Sequence, residues 1–240
     1  MYFKLIFLFI FINIQTSASI TRFACSYFPP YKIQADGKSK GVDVEIISEI
    51  FKEINLQTSF TFLPWKRAYN NVKTGELDAL CGCSYLKSRE KHFIYSNEIG
   101  KQSIGFFTMK GKKSFTNIEE LKDKNVAVVR GYNLESELNK SQVKVIPVKD
   151  ESQLIRLLKS GRVDAIYSFR GPILYLMKEN SIIDDMNFKE MKSSPYYICF
   201  NKKKLEKSEL IAQFNTGLNT IKNNGLYNKI RIKYFGKPLN

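Results

Sequence analysis

The chain has 240 residues, 43% hydrophobic and 25% charged, which is the composition of an ordinary globular protein and excludes a disordered, collagenous or low-complexity one. Its 38 Lys and Arg against 23 Asp and Glu leave a formal net charge of +15. The lysines are spread over nearly every polar segment, with short runs such as Lys202-Lys203-Lys204 and no accompanying aromatic-basic motif, so the charge describes a solvated surface that favours anions at long range, with no nucleic acid expected as partner.

The N-terminus opens with Met1-Tyr-Phe-Lys4, continues through the apolar run Leu5 to Ile14 and reaches the small polar stretch Gln15 to Ser19. That order is the pattern of a cleaved signal peptide over residues 1–18, and an apolar run of about ten residues is short of the roughly 20 that cross a bilayer. Export to the periplasm is therefore expected. Arg22 stands ahead of Cys25 where a lipoprotein signal has an apolar residue, so no lipid anchor is expected.

Ile20 to Ser26 reads as a first strand, and Val44 to Ile54 carries apolar residues at helical spacing. An internal repeat follows: Val72-Lys-Thr-Gly-Glu-Leu-Asp-Ala-Leu80 recurs as Leu158-Lys-Ser-Gly-Arg-Val-Asp-Ala-Ile166. Each copy is preceded by a β-rich run ending near a proline (Thr58 to Pro64, Val143 to Pro147), then a helical pattern, a glycine at the helix end and a new strand. Two strand-helix-strand units predict an α/β protein of two lobes, each a mainly parallel sheet flanked by helices. Val126 to Val129 reads as a buried strand ending at Arg130-Gly131, with a helix from about Leu134. Leu210 to Ile221 reads as an amphipathic helix stopped at Asn224-Gly225.

The chain must cross between the lobes twice, near Ser103 to Met109 and near Tyr196 to Asn201, as a two-stranded hinge. The expected division is residues 19–106 with 198–240 as lobe one and 107–197 as lobe two. Such a hinge makes a cleft that shuts on a ligand, and residues just beyond the strand ends are the candidates to touch it. Of the four cysteines, Cys81 and Cys83 share one strand face and cannot easily bond each other. Free or structural thiols are expected, with at most Cys199 bridged to Cys81 or Cys83. His92 is the only histidine, so no metal is expected, and Gly111-Lys-Lys-Ser114 lacks phosphate-loop spacing, so neither is a nucleotide cofactor.

Several motifs in order resemble a known family: Phe28-Pro-Pro-Tyr31, Gly41-Val-Asp-Val-Glu45, Pro64-Trp-Lys-Arg-Ala-Tyr69, Gly75-Glu-Leu-Asp78, Ser88-Arg-Glu90, Tyr95-Ser96 and the closing Gly225 to Gly236 segment. Together they resemble the extracellular solute-binding proteins, family 3, of polar amino-acid ABC transporters, in a Pro-Trp-x-Arg-Ala variant branch. The resemblance implies the type II periplasmic-binding-protein fold, a small carboxylate ligand and a membrane permease as partner; a monomer without enzymatic activity is expected.

It further implies that Arg89 holds the ligand carboxylate, for which a planar guanidinium offers two parallel bonds; the alternative is a surface arginine paired with Glu90. Trp65 would cover the ligand or simply pack, and Phe28 and Tyr31 would form an aromatic edge. Ser84 and Tyr85 would bond the carboxylate beside Arg89, and Gly131, Tyr132 and Asn133 would contribute from lobe two. The sequence departs from the family where amino-acid binders carry an acid for the ligand's ammonium group: Phe169 stands there, followed by Arg170. With Arg67, Arg89, Arg130 and Arg170 near the expected cleft, a more acidic ligand becomes credible. Two other functions fit the same fold, a dehydratase-like enzyme and a ligand receptor for a separate sensor, although no nucleophile-base-acid set is visible.

Overall fold

The computed structural model describes residues 20–182, 184–205 and 209–235. The leader expected over 1–18 lies outside the described residues, and among those described no helix is long and apolar enough to cross a membrane. The chain begins with β1 (Ile20–Cys25), a small hairpin of β2 (Ile33–Ala35) and β3 (Lys38–Lys40), α1 (Val42–Glu53), β4 (Gln57–Phe62), α2 (Trp65–Thr74) and β5 (Ala79–Ser84). There follow β6 (Phe93–Tyr95), β7 (Gly100–Met109), β8 (Asn125–Val129), α3 (Asn133–Leu138), β9 (Lys144–Val148), α4 (Glu151–Lys159), β10 (Ala165–Phe169) and α5 (Arg170–Glu179). The chain returns through β11 (Met186–Asn201), α6 (Lys202–Leu205), α7 (Leu210–Asn223) and α8 (Leu226–Phe235).

The repeat seen in the sequence is a repeat in space. β1 lies between β4 and β5, and β8 lies between β9 and β10, with every pair parallel. The two helices α2 and α4 make the corresponding crossovers and end at Gly75 (φ 86°) and Gly161 (φ 66°), a backbone region that glycine enters without a Cβ clash. The repeated aspartate has a structural task. Asp78 accepts from the backbone N–H of Arg22 at 2.8 Å, and Asp164 accepts from that of Asn125 at the same distance. In return the N–H of each aspartate donates to the carbonyl of the same residue, so both aspartates pin the opening of the strand at the centre of their group. Asp78 also binds the Arg22 guanidinium and the Lys204 ammonium, which hold its carboxyl below the usual range.

Between the two parallel groups run β7 and β11, antiparallel from Met109 opposite Met186 to Gly100 opposite Tyr196, with the register shifting between Glu190 and Lys192. β7 meets the second group through β10, and the far end of β11 meets the first through β5. The crossings are thus longer than the short stretches expected at 103–109 and 196–201, with 10 and 16 residues. The early half of β11 pairs with β7 alone and carries Lys189, Glu190 and Lys192 on an exposed edge, which masks it as a loop in the sequence. Helices α1 and α7 cover the first group, where Phe214 lies 5.4 Å from Phe200 and 6.2 Å from Phe51 between ring centres.

The expectation of free thiols is corrected, while the bridge allowed for between Cys199 and Cys81 or Cys83 is present, to Cys83. Cys25 is bonded to Cys81 and Cys83 to Cys199, with Cα separations of 5.0 and 6.2 Å. Cys81 and Cys83 do share one face of β5, but each reaches the strand on a different side, β1 or β11. The partner of Cys25 becomes visible only once β1 is placed beside β5, where Phe23 opposite Ala79 and Ala24 opposite Leu80 put Cys25 opposite Cys81.

Candidate functional site

The carboxyl ends of the two parallel groups face one another across a narrow cavity. From the first side come Ser26 and Phe28 after β1, Trp65 at the start of α2, and Gly82 to Ser84 at the end of β5, with Arg89 on the turn that follows. From the other come Tyr132 and Asn133 at the start of α3 and Phe169 at the end of β10. Gln102 of β7 and Tyr196 of β11 line it from the connecting strands. Its free volume is about 40 Å³, room for two or three water molecules, so any larger ligand enters only when the two sides part.

The sides already touch. The indole N–H of Trp65 donates to the carbonyl of Gly131 at 2.9 Å, and Tyr132 presents its ring edge to the same indole at 5.8 Å. Phe28 meets Phe169 at 5.5 Å and Tyr132 at 6.4 Å, both edge-on. An aromatic seam of this kind excludes water from the polar groups beneath it, and each ring pair adds about 0.5–1.5 kcal/mol beyond its buried area.

Arg89 is the chemically decisive group. It is 7% exposed, yet among the described residues no aspartate or glutamate forms an ion pair with it. Nη1 donates to the carbonyl of Ser84 at 3.1 Å, and the guanidinium lies 5.3 Å from the ring of Tyr69 and 5.7 Å from that of Trp65. Burial pushes its pKa down. The alternative pairing with Glu90 is not present, because that carboxylate accepts from the hydroxyl of Tyr85 at 2.5 Å. A buried guanidinium that lines a cavity without an acidic partner suits an anion, since without one its desolvation is poorly compensated.

The structure brings together Arg89, Trp65, Ser84, Phe28, Tyr132, Asn133 and Phe169. It does not bring the other candidates to the cavity. Tyr85 is 48% exposed on the outside of its turn, and Arg67 is exposed on α2. Arg170 is exposed with its guanidinium over Phe188, on the flank of α5. Tyr31 is buried behind Phe28, packed on Tyr196 and Phe235, so its ring supports the wall from behind. Gly131 contributes its carbonyl to Trp65 and lines the neighbouring surface groove with Arg130. Sequence reasoning passed over Ser26, Lys32, Gly82, Gln102 and Tyr196. Lys32, adjacent to the Phe28-Pro-Pro-Tyr31 motif, is one lysine among many in the sequence, and only its burial beside Asp43 sets it apart.

Two buried acids stand behind the cavity wall. Asp43 is fully buried and accepts from the Tyr196 hydroxyl at 2.7 Å, with the Lys32 ammonium 3.6 Å from its other oxygen. Glu151 accepts from the Tyr132 hydroxyl at 2.8 Å. Burial is the main cause raising both, Asp43 to about 6 and Glu151 to about 7. The native chain therefore holds protons that the unfolded chain has already released between about pH 4 and pH 7, and stability falls as pH rises through that window. Half-buried His92, whose pKa is lowered, opposes this weakly. The melting temperature is expected to be higher at about pH 5.5 than at pH 8, each acid contributing at most about 3 kcal/mol. Glu151→Gln should remove part of the slope, and a melting temperature that climbs with pH would contradict the assignment.

No group of three or more His, Cys, Asp or Glu among the described residues could hold a metal. Two α/β halves, a paired-strand connection and a cavity between strand ends define a ligand-binding protein of the type II periplasmic-binding-protein fold. An ancestral arginine-binding protein bound to arginine has this fold, with a TM-score of 0.81 and 28% identity, covering 90% of this chain and 98% of its own. The profile of the bacterial extracellular solute-binding proteins, family 3, matches residues 21–237, and the chain belongs to that family. An arginine-binding periplasmic protein of Mannheimia haemolytica is 26% identical, covering 87% of this chain and 88% of its own. An L-cystine-binding protein of Bacillus subtilis is 24% identical, over 84% and 75% respectively.

Proposed function

We propose that this solute-binding protein works in the periplasm as a monomer, capturing a small carboxylate ligand, an amino acid or a related acid, and delivering it to the permease of an ABC transporter. The observation that carries this reading is the buried Arg89 guanidinium, open to the cavity and without an acidic partner. Residues 19–106 and 198–240 act as one lobe and 107–197 as the other, with β7 and β11 as the hinge. The ligand carboxylate docks first on Arg89 and the Ser84 side of the cavity, and the other lobe then closes through Tyr132, Asn133 and Phe169. A ligand shifts this balance only as far as it prefers the closed form. The relatives that bind arginine and cystine support the transport role.

Trp65 gives the test, because it is the only tryptophan and its indole spans the two sides through the bond to Gly131. Titrating small organic and amino acids should change its emission in a saturable way, with a matching rise in melting temperature. A saturable thermal shift with unchanged emission would place the ligand outside this cavity.

A further inference from the structure

Arg89 is not the only cation at the cavity. Lys32 is 5% exposed, lines the same space, and has its ammonium 4.6 Å from the centre of the Phe28 ring. Its acid, Asp43, lies 3.6 Å away, beyond a good hydrogen bond, and engages one side of an ammonium that carries three donors. Gly82 makes the room: a Cβ there would stand 3.2 Å from the Lys32 Nζ and 3.4 Å from the Asp43 Oδ2. The missing side chain lets the lysine reach the cavity from below β5.

Among the described residues, no aspartate or glutamate lines the cavity. Asp43 is fully buried under Lys32 and the Tyr196 hydroxyl, and Glu151, 3% exposed, is capped by the Tyr132 hydroxyl and faces a separate groove. A ligand ammonium group would therefore lose its water, find no carboxylate and sit beside a like charge. Such a buried, unpaired charge is among the most unfavourable arrangements available to a binding site. A ligand bearing a carboxylate and a second oxygen acceptor meets the opposite situation, with a donor for each group: Arg89 and Lys32, assisted by Gln102, Ser26 and Asn133 along the wall.

We propose that the cavity selects a short organic acid without a free ammonium group, a dicarboxylate or 2-oxo acid, and that Lys32 is the second anion anchor that sets this preference. The inference rests on the carboxylate reading of Arg89 and narrows it. It also separates this chain from its arginine-binding relatives, whose named ligand would bring further positive charge to a site already holding two cations.

The test is calorimetry on the purified full chain with matched ligands: 2-oxoglutarate, glutarate and oxaloacetate against L-glutamate, L-aspartate and L-arginine. At least one ammonium-free acid is expected to bind about 100-fold or more tightly than its amino-acid counterpart, the scale of one unpaired buried charge. Lys32→Met should weaken that acid by about 10- to 100-fold and narrow the gap, because an ammonium group could then approach Asp43. The wild-type comparison decides the ligand class without any substitution. Amino acids binding as tightly as their counterparts, in a manner lost with Arg89→Ala, would overturn the ammonium-free class and leave the carboxylate site standing. The same class falls if no acid of the set binds. Binding by either class that survives Arg89→Ala would overturn the carboxylate site itself.

Discussion

Arg89→Ala should abolish ligand binding while leaving the unliganded protein at least as stable as before. The two halves of that expectation have one cause. In the free protein the guanidinium is buried and bonded to the Ser84 carbonyl and the rings around it, with no carboxylate to offset its lost hydration. Removing it deletes a desolvated charge whose partners are a neutral carbonyl and ring faces, which offset its lost hydration incompletely, so the melting temperature should hold or rise. In the complex the same group supplies charge-assisted, two-pronged bonds to a carboxylate in a dry cavity. Their loss should cost about 3–5 kcal/mol, a factor of several hundred or more in affinity. Arg89→Lys should recover a small part, since an ammonium keeps the charge but not the planar fork. The pairing of calorimetry with a melt is discriminating: a substitution that loses binding and stability together would make Arg89 a structural residue.

That division between function and stability also explains what could be read ahead of the structure. The α/β class, the duplicated strand-helix-strand unit and its capping glycines were legible because each rests on local chemistry: periodicity, a left-handed cap, a strand opening. Asp78 and Asp164 were visible as a repeat but not as strand clamps, because their partners Arg22 and Asn125 are 56 and 39 residues away. Arg89 and Trp65 could be found because the family resemblance pointed at them. Lys32 could not, because a lysine in a lysine-rich chain carries no signal until its burial and its neighbour Asp43 are seen. Arg67 and Arg170 were misplaced for the converse reason. Sequence proximity to a strand end does not say which way a helix turns its side chain, and α2 and α5 turn these two outward. The early half of β11 was hidden because an edge strand need not alternate.

The disulfides give the second large effect. Reducing both should lower the melting temperature by at least about 10 °C. Chain-entropy arguments assign upper values of about 4 kcal/mol to the bridge closing 56 residues and about 5 kcal/mol to the one closing 116. The longer bridge has a functional side as well. Cys83 stands between Gly82 and Ser84, so the bridge to Cys199 ties the β5 end that carries the Arg89 acceptor to the strand that carries Tyr196. The Cys83→Ser, Cys199→Ser double variant should therefore lose affinity as well as stability. Cys25→Ser, Cys81→Ser, which removes the cross-link between β1 and β5, should act chiefly on the melt, because the parallel pairing of the two strands and the Asp78 clamp remain. Thermal melts with and without reductant, alongside a thiol titration, separate these outcomes. Four reactive thiols together with an unchanged melting temperature would show that burial of the β1-β5-β11 core, rather than its cross-links, sets the stability of the site.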